Sequence, residues 1–113
     1  MVTAGGRISG PFALAAGTTI KALVSMGGDT LLDRVLKALW ESGRVQGPVV
    51  VVGPVAVAEL GSGATLVEEG ETGPQNMVRG LQTLSPTQQK GWALLCTCDL
   101  PLLSGESVNW LLD

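Results

Sequence analysis

The chain has 113 residues, of which 45% are hydrophobic and 15% are charged, and its formal net charge is −3. This length suits one domain with a single hydrophobic core, and the scattered lysines and arginines exclude the basic surface that a nucleic-acid duplex requires. The sequence also lacks a signal-peptide pattern and an apolar run of the roughly 20 residues that a membrane helix needs. We therefore expect a cytoplasmic protein with neither a nucleic-acid nor a membrane partner, and we leave a homo-oligomer open.

The first predicted strand, Val2–Ala4, runs at once into the paired glycines Gly5 and Gly6. A loop rich in Gly, Ala and Thr follows as far as residue 20, with a helical turn predicted at Pro11–Ala16. Glycine gives up side-chain packing for backbone freedom. Either a ligand approaches this backbone closely or the chain makes a tight turn, and the glycines alone leave both interpretations open.

Two well-known phosphate-binding motifs do not fit the segment GGRISG. A P-loop ends in Gly-Lys-Ser/Thr, and this segment has no lysine. A dinucleotide-binding fingerprint needs Gly-x-Gly-x-x-Gly opening directly into a helix, whereas Pro11 and a long loop follow here. The sequence therefore disfavours an oxidoreductase of the Rossmann type.

Helices and strands alternate after the loop. Thr30 and Asp33 predict a capping box at the start of a helix over Leu31–Ser42, and Gly43 ends that helix. The later predicted elements are a buried strand in GPVVVVGP, a short strand at residues 64–67, a helix over Pro74–Leu84, a buried strand in GWALLCTC and a helix from Ser104. This alternation predicts an α/β fold with a parallel sheet.

Two of the helices carry apolar side chains at helical spacing, which predicts one buried face on each. These residues are Val35, Leu36, Leu39 and Trp40 in the first helix, and Met77, Val78, Leu81 and Leu84 in the second.

Cys96 and Cys98 are two residues apart in an apolar run. On a strand they would share a face, too far apart for an unstrained disulfide. The chain has no histidine, so two cysteines do not complete a zinc site. We expect reduced thiols in the core, which is usual in the cytoplasm.

Asp99 and Lys21 are the charged candidates for a functional site. Asp99 follows a predicted strand in LLCTCDLPLL, where Pro101 turns the chain, and it therefore lies at the same carboxyl edge of the sheet as the glycine loop. A carboxylate there either binds Mg²⁺ against phosphate oxygens or makes a solvated turn contact. Lys21 either meets a phosphate as a point charge or is an exposed surface lysine.

The segments AGGR, KAL, GGDTLLDRVLKAL and CDLPLL, taken in this order, resemble the nucleotidyltransferases of the glycosyltransferase-A-like fold. That family includes the molybdenum-cofactor guanylyltransferase-like enzymes and the sugar-phosphate nucleotidylyltransferases, and the resemblance extends through nearly all of the chain. It implies a Rossmann-like, mostly parallel α/β sheet flanked by helices. It also implies an Mg²⁺-dependent enzyme that transfers a nucleoside monophosphate from a nucleoside triphosphate to a small phosphorylated or hydroxyl acceptor, with release of pyrophosphate.

The resemblance further implies roles for individual residues. Lys21 and Asp99 would be catalytic, with Asp99 also binding Mg²⁺, and the segment from Gly73 to Asn76 would border the nucleobase. The residues implied to bind the nucleotide are Ala4, Gly5, Gly6, Arg7, Lys21 and Asn76.

The chain departs from the family pattern in two places. The usual loop has Arg-Met-Gly shortly before its lysine, whereas ISGPFALAAGTTIK is longer and lacks that triplet, with Arg7 as a candidate replacement. The family's later metal ligand and most of its acceptor site lie beyond the position that matches Asp113. We therefore expect residues 1–113 to be a single nucleotide-binding α/β domain truncated at its C-terminus and the N-terminal portion of a larger domain, and we leave open whether it is catalytically active on its own. A non-catalytic nucleotide-binding or regulatory module of the same fold is the alternative.

Overall fold

The computed structural model describes residues 1–45, 47–57 and 63–113, which divide into two compact units. The first unit comprises Met1–Gly5 and Pro48–Thr97, and the second comprises Gly6–Gly47 and Cys98–Asp113. Neither unit is a continuous segment of the chain. The prediction of one domain over residues 1–113 stays a prediction.

Six strands and four α-helices lie in the described part of the chain. The strands are β1 (Val2–Thr3), β2 (Ser25–Met26), β3 (Asp29–Thr30), β4 (Val49–Gly53), β5 (Ala64–Glu68) and β6 (Cys96–Thr97). The helices are α1 (Gly10–Ala16), α2 (Leu31–Glu41), α3 (Gly73–Gln82) and α4 (Gly105–Leu112). None of the helices in the described ranges is long and apolar enough to cross a membrane.

The first unit contains a four-stranded sheet in the order β5-β4-β1-β6, and every neighbouring pair is parallel. Val2 pairs with Val51 on one side and with Cys96 on the other. Every residue of β4 is buried, as its continuous apolar run predicts, and the strand has a paired neighbour on each side and packs against α3. The predicted mostly parallel α/β fold is thus confirmed.

The predicted apolar face of α3 is wrong. Met77, Val78 and Leu81 are 38%, 53% and 36% exposed, whereas Asn76 and Gly80 are the buried residues of this helix. A Cβ built on Gly80 would overlap the Met1 side chain and would lie 3.0 Å from Val52 Cγ2. The helix therefore approaches β4 through a glycine, a contact that hydrophobic spacing cannot indicate.

The predicted buried strand in GWALLCTC is also mostly wrong. Only Cys96 and Thr97 are in a strand, and Trp92 is fully exposed while Leu95 is 45% exposed. The reason is that β6 lies at the edge of the sheet and pairs only with β1, which is itself two residues long. Among the described residues, no strand pairs with the other side of β6.

The second unit is built around α2. Thr30 Oγ1 accepts from the Asp33 amide at 3.1 Å, and Asp33 Oδ2 accepts from the Thr30 amide at 3.2 Å, so the predicted capping box is present. The buried residues of the helix are Leu31, Leu32, Val35, Leu36, Ala38 and Leu39. This set confirms the predicted face except at Trp40, which is 41% exposed.

Helix α4 packs against α2, with Gly105 at the contact. A Cβ on Gly105 would lie 2.9 Å from the carbonyl carbon of Glu41 and from the amide nitrogen of Ser42. The predicted start of α4 at Ser104 is confirmed, because the Ser104 hydroxyl accepts from the Ser107 amide at 3.1 Å.

Candidate functional site

The glycine loop begins in the first unit with Ala4 and Gly5. Ala4 is fully buried, and its amide donates to the Val52 carbonyl at 2.8 Å. A Cβ on Gly5 would overlap the Glu69 carboxylate and would lie 3.6 Å from Asn76 Nδ2. A side chain at position 5 would therefore require the end of the Glu69 side chain to move.

Asn76, the residue predicted to border a nucleobase, belongs to the same group. It is 9% exposed, and its Oδ1 accepts from the Gly70 amide at 2.5 Å. One residue earlier, Gln75 Oε1 accepts from the Glu71 amide at 2.7 Å. The first turn of α3 therefore fixes the loop that carries Glu69, and the bonds of Asn76 that the structure shows are to the protein.

In the second unit, the rest of the glycine loop pairs with the segment that carries Lys21. Ile8 donates to the Thr19 carbonyl at 2.9 Å, and the Lys21 amide donates to the Gly6 carbonyl at 3.0 Å. Arg7 forms an antiparallel bridge with Ile20 between these bonds. Residues 6–8 and 19–21 thus lie side by side. The segment that connects them contains α1, which corresponds to the helical turn predicted at Pro11–Ala16.

Gly6 differs from Gly5 in what surrounds it. A Cβ on Gly6 would make ordinary contacts of 3.6 Å with the Lys21 side chain, and the backbone of Gly6 is outside the left-handed region. Packing does not require glycine at position 6. A small residue at position 6 leaves the backbone beside the Lys21 side chain accessible to a ligand.

The structure brings Lys21 and Asp99 together. Lys21 Nζ lies 3.5 Å from Asp99 Oδ2, and the side chains are 36% and 44% exposed. An ion pair this exposed contributes only about 0–1 kcal/mol to stability. The pair therefore offers a cation and a carboxylate to a ligand at little cost to the fold.

Both cysteines are free thiols, as predicted, but they differ in burial. Cys98 is 3% exposed, and burial, reinforced by the neighbouring Asp99 carboxylate, raises its pKa. Cys96 is half-buried, and burial also raises its pKa. Both thiols are therefore protonated at neutral pH and are poor nucleophiles.

Arg34 on α2 is a site residue that the sequence analysis missed. Its Nη2 donates to the Met26 carbonyl at 2.7 Å, and its Nη1 to the Pro101 carbonyl at 3.5 Å. The hairpin of β2 and β3, to which Met26 belongs, was missed as well. Its turn, Gly27-Gly28, has φ angles of +61° and +93°, and a Gly-Gly pair between two short strands is the signal that could have predicted it.

Few side chains in the described part of the chain are arranged to bind Mg²⁺. The described residues contain no group of three or more His, Cys, Asp or Glu side chains able to hold a metal ion. Mg²⁺ is usually bound by only one or two carboxylates together with substrate phosphates and water. Asp99 is exposed and lies beside Lys21, whose ammonium can bind a phosphate. Asp99 therefore suits a Mg²⁺ site in which the protein provides a single ligand.

A parallel sheet in the order β5-β4-β1-β6, with a glycine loop after β1 and a carboxylate soon after β6, defines an α/β protein of the nucleotidyltransferase-like fold. Two solved structures share it. A hypothetical transferase from Thermus thermophilus has 30% sequence identity and a TM-score of 0.79, over 99% of this chain and 44% of that one. A nucleotidyl transferase from Methanothermobacter thermautotrophicus has 20% identity and a TM-score of 0.64, over 96% of this chain and 53% of that one.

The chain belongs to the family of the MobA-like NTP transferase domain, whose profile matches residues 2–113. This confirms the resemblance drawn from the sequence. No curated protein sequence gives a significant match. The chain spans about half the length of the two solved structures.

Proposed function

We propose that the protein takes part in nucleotidyl transfer from a nucleoside triphosphate, and that the phosphates bind at the Lys21 side of the glycine loop. The observation that carries this proposal is the Lys21–Asp99 pair at 3.5 Å, with the Gly6 carbonyl bonded to the Lys21 amide. Family membership supports the reaction class.

The chain's own charges favour this placement of the phosphates. The Lys21 ammonium is a compact positive charge that can offset a phosphate oxygen, and the exposed Arg7 lies on the adjacent paired segment. At Gly5, by contrast, a carboxylate oxygen of Glu69 occupies the space in which a Cβ would lie, so a phosphate has less room there. We therefore assign the phosphates to Gly6, Arg7 and Lys21, while contacts of Ala4, Gly5 and Asn76 with the nucleotide stay predictions.

In the proposed reaction an acceptor oxygen attacks the α-phosphorus. The bond from that phosphorus to the oxygen bridging the α- and β-phosphates breaks, and pyrophosphate leaves with the electron pair. Lys21 would hold the phosphates in line and offset their charge, and positioning of this kind needs no protein nucleophile. Mg²⁺, held by Asp99 when bound, would supply further neutralisation of the phosphate oxygens.

A non-catalytic nucleotide-binding module is the second candidate. Its support is the loop ending at Lys21, ISGPFALAAGTTIK, which is longer than the usual loop of the family and lacks the triplet Arg-Met-Gly. Such a module would bind a nucleoside triphosphate without turning it over.

One experiment separates these candidates. Calorimetric titration with ATP, GTP, CTP and UTP, each with Mg²⁺ and with EDTA, measures binding, and a pyrophosphate-release assay with a panel of phosphorylated acceptors measures turnover. Binding with pyrophosphate release supports the transferase. Binding without release supports the module, and the absence of binding for all four nucleotides contradicts both.

A further inference from the structure

The segments that carry Lys21 and Asp99 are both bonded to one guanidinium group. Arg34 donates to the carbonyl of Met26, five residues after Lys21, and to the carbonyl of Pro101, two residues after Asp99. The bond to Met26 is short at 2.7 Å, and the bond to Pro101 is long at 3.5 Å. A planar guanidinium fork can span two acceptors in this way, whereas a lysine ammonium acts as a single point charge.

Arg34 is well supported from its own side. It lies in the first turn of α2, which the capping box of Thr30 and Asp33 fixes, and its neighbours on the same side of the helix, Leu31 and Ala38, are buried. A functional group held by side chains on a rigid element is positioned more accurately than one on a loop. The backbone of Arg34 is therefore held in place, and its guanidinium can position the two segments that contain Met26 and Pro101.

The turn between β2 and β3 lies close to the Arg34 guanidinium. A Cβ on Gly27 would lie 3.0 Å from Arg34 Nη2, and Gly27 has a φ angle of +61°. The Arg34 Nε is buried and has no hydrogen-bond partner among the described residues. Leaving a buried donor unpaired is costly, so an arginine whose only role was stability would be a poor choice here.

We propose that Arg34 is a positioning residue that sets the spacing of Lys21 and Asp99. It acts through the backbone carbonyls of Met26 and Pro101. Without its guanidinium the two segments would relax independently, and the ammonium and the carboxylate would no longer meet one triphosphate and its metal together. This inference depends on the proposed function, because it assigns a purpose to the geometry of the proposed phosphate and metal site.

The test compares Arg34→Met and Arg34→Lys with wild type, using Arg44→Met as the matched control. Arg44 belongs to the same unit and donates in a similar way, to the carboxylate of Asp113 and to the Leu112 carbonyl at 3.1 Å. For each protein, affinities for ATP, GTP, CTP and UTP are measured with Mg²⁺ and with EDTA. Chemical denaturation is measured on the same samples.

We expect the factor by which Mg²⁺ tightens nucleotide binding to fall about tenfold or more in Arg34→Met, since loss of a group that orients a metal ligand typically costs about 10–100-fold in metal affinity. Arg34→Lys should restore only part of this factor, and Arg44→Met should leave it unchanged. In an Asp99→Asn background, Arg34→Met should reduce the factor no further, because both changes then act through the same carboxylate.

Each other result counts against the proposal. An unchanged factor in a folded Arg34→Met protein overturns the positioning role alone. Unfolding of both Arg34 variants while Arg44→Met stays folded would make Arg34 a structural residue and overturn it too. If wild type shows no Mg²⁺-dependent nucleotide binding, the proposed function itself fails and this inference fails with it.

Discussion

The Lys21 ammonium lies 3.5 Å from the Asp99 carboxylate, although 78 residues separate them in the chain. The two side chains neutralise each other, and a triphosphate with its metal would present the opposite charge to each of them. A ligand that binds here would therefore replace the ion pair with two new contacts, phosphate to Lys21 and metal to Asp99. The first two predictions concern this replacement.

Asp99→Asn should weaken nucleotide binding in the presence of Mg²⁺ and should leave binding in EDTA unchanged or tighter. The variant keeps the size of the side chain but loses the charge that a cation needs, and Lys21 loses its internal partner. Calorimetry measures the nucleotide affinity with Mg²⁺ and the nucleotide affinity with EDTA. Asp113→Asn is the matched control, because it also neutralises a partly exposed carboxylate paired with one cation; equal behaviour of the two variants would remove Asp99 from the site.

Lys21→Met should bind nucleotide more weakly and should bind a divalent cation on its own more tightly. The cation beside Asp99 is gone, so Mn²⁺ no longer competes with an ammonium for the same carboxylate. Mn²⁺ binding can be followed by electron paramagnetic resonance without nucleotide. Lys37→Met is the control, since Lys37 pairs with Glu41 at 3.9 Å on the exposed face of α2, and an increase in Mn²⁺ affinity in both variants would contradict the assignment.

Leu36→Ala should lower the free energy of unfolding by about 2–5 kcal/mol, because the side chain is 6% exposed and its removal leaves a cavity. Leu102 is 87% exposed, so Leu102→Ala should change stability by no more than about 0.5 kcal/mol. Urea denaturation of the two variants measures both values. Similar costs for the two substitutions would mean that the packing of α2 is misassigned.

Gly105→Ala should destabilise the protein by about 1–3 kcal/mol, since the new methyl group meets the backbone of Glu41 and Ser42 at 2.9 Å. Gly91→Ala should instead stabilise it by about 0.4–1 kcal/mol. Position 91 has an extended backbone, and a new Cβ there would make only an ordinary contact of 3.5 Å with the Gln88 carbonyl oxygen, so alanine there mainly restricts the unfolded chain. Thermal and chemical denaturation would show opposite signs, and the same sign for both would contradict the packing of α4 on α2.

Stability should decline above pH 9. Burial raises the pKa of the Cys96 and Cys98 thiols above the usual 9.0, so the unfolded chain releases these protons at lower pH than the folded chain. Their contribution is fully present below pH 9.0 and is lost as the pH rises through the folded-state values. Urea denaturation between pH 8.5 and 10 should show a smaller decline in Cys98→Ala than in wild type, and an equal decline would contradict the assignment.

The sequence predicted those features that depend on local or strongly repeated signals. The capping box of Thr30 and Asp33 involves neighbours in the chain, and the valine run of β4 indicates a strand covered on both sides. The rule that loops gather at the carboxyl edge of a parallel sheet placed Asp99 near the glycine loop, but the ion pair between Lys21 and Asp99 was not predicted. What these two residues bind stays a prediction.

Other features depend on contacts that residue type does not encode. The buried side of α3 is marked by Gly80 and Asn76, because the helix packs at Gly80 against the side chains of Met1 and Val52, which leave no room for a leucine. The two bonds of Arg34 end on backbone carbonyls, which every residue possesses. The exposure of Trp92 reflects the short edge strand that follows it, and a hydrophobicity scale gives no account of strand order.

The order of the strands also has a consequence for how the protein is made. Strand β1 is synthesised before both of its neighbours, because Val2 pairs with Val51 and with Cys96, and β6 follows β1 by about 94 residues. At the usual rates of synthesis, β1 waits on the order of 5–20 s for β6. During that time its backbone N–H and C=O groups on one side are unpaired, and they are open to other chains or to chaperones. Synonymous codons that slow translation before residue 96 would lengthen this interval, and we expect them to lower the soluble yield without changing a single amino acid.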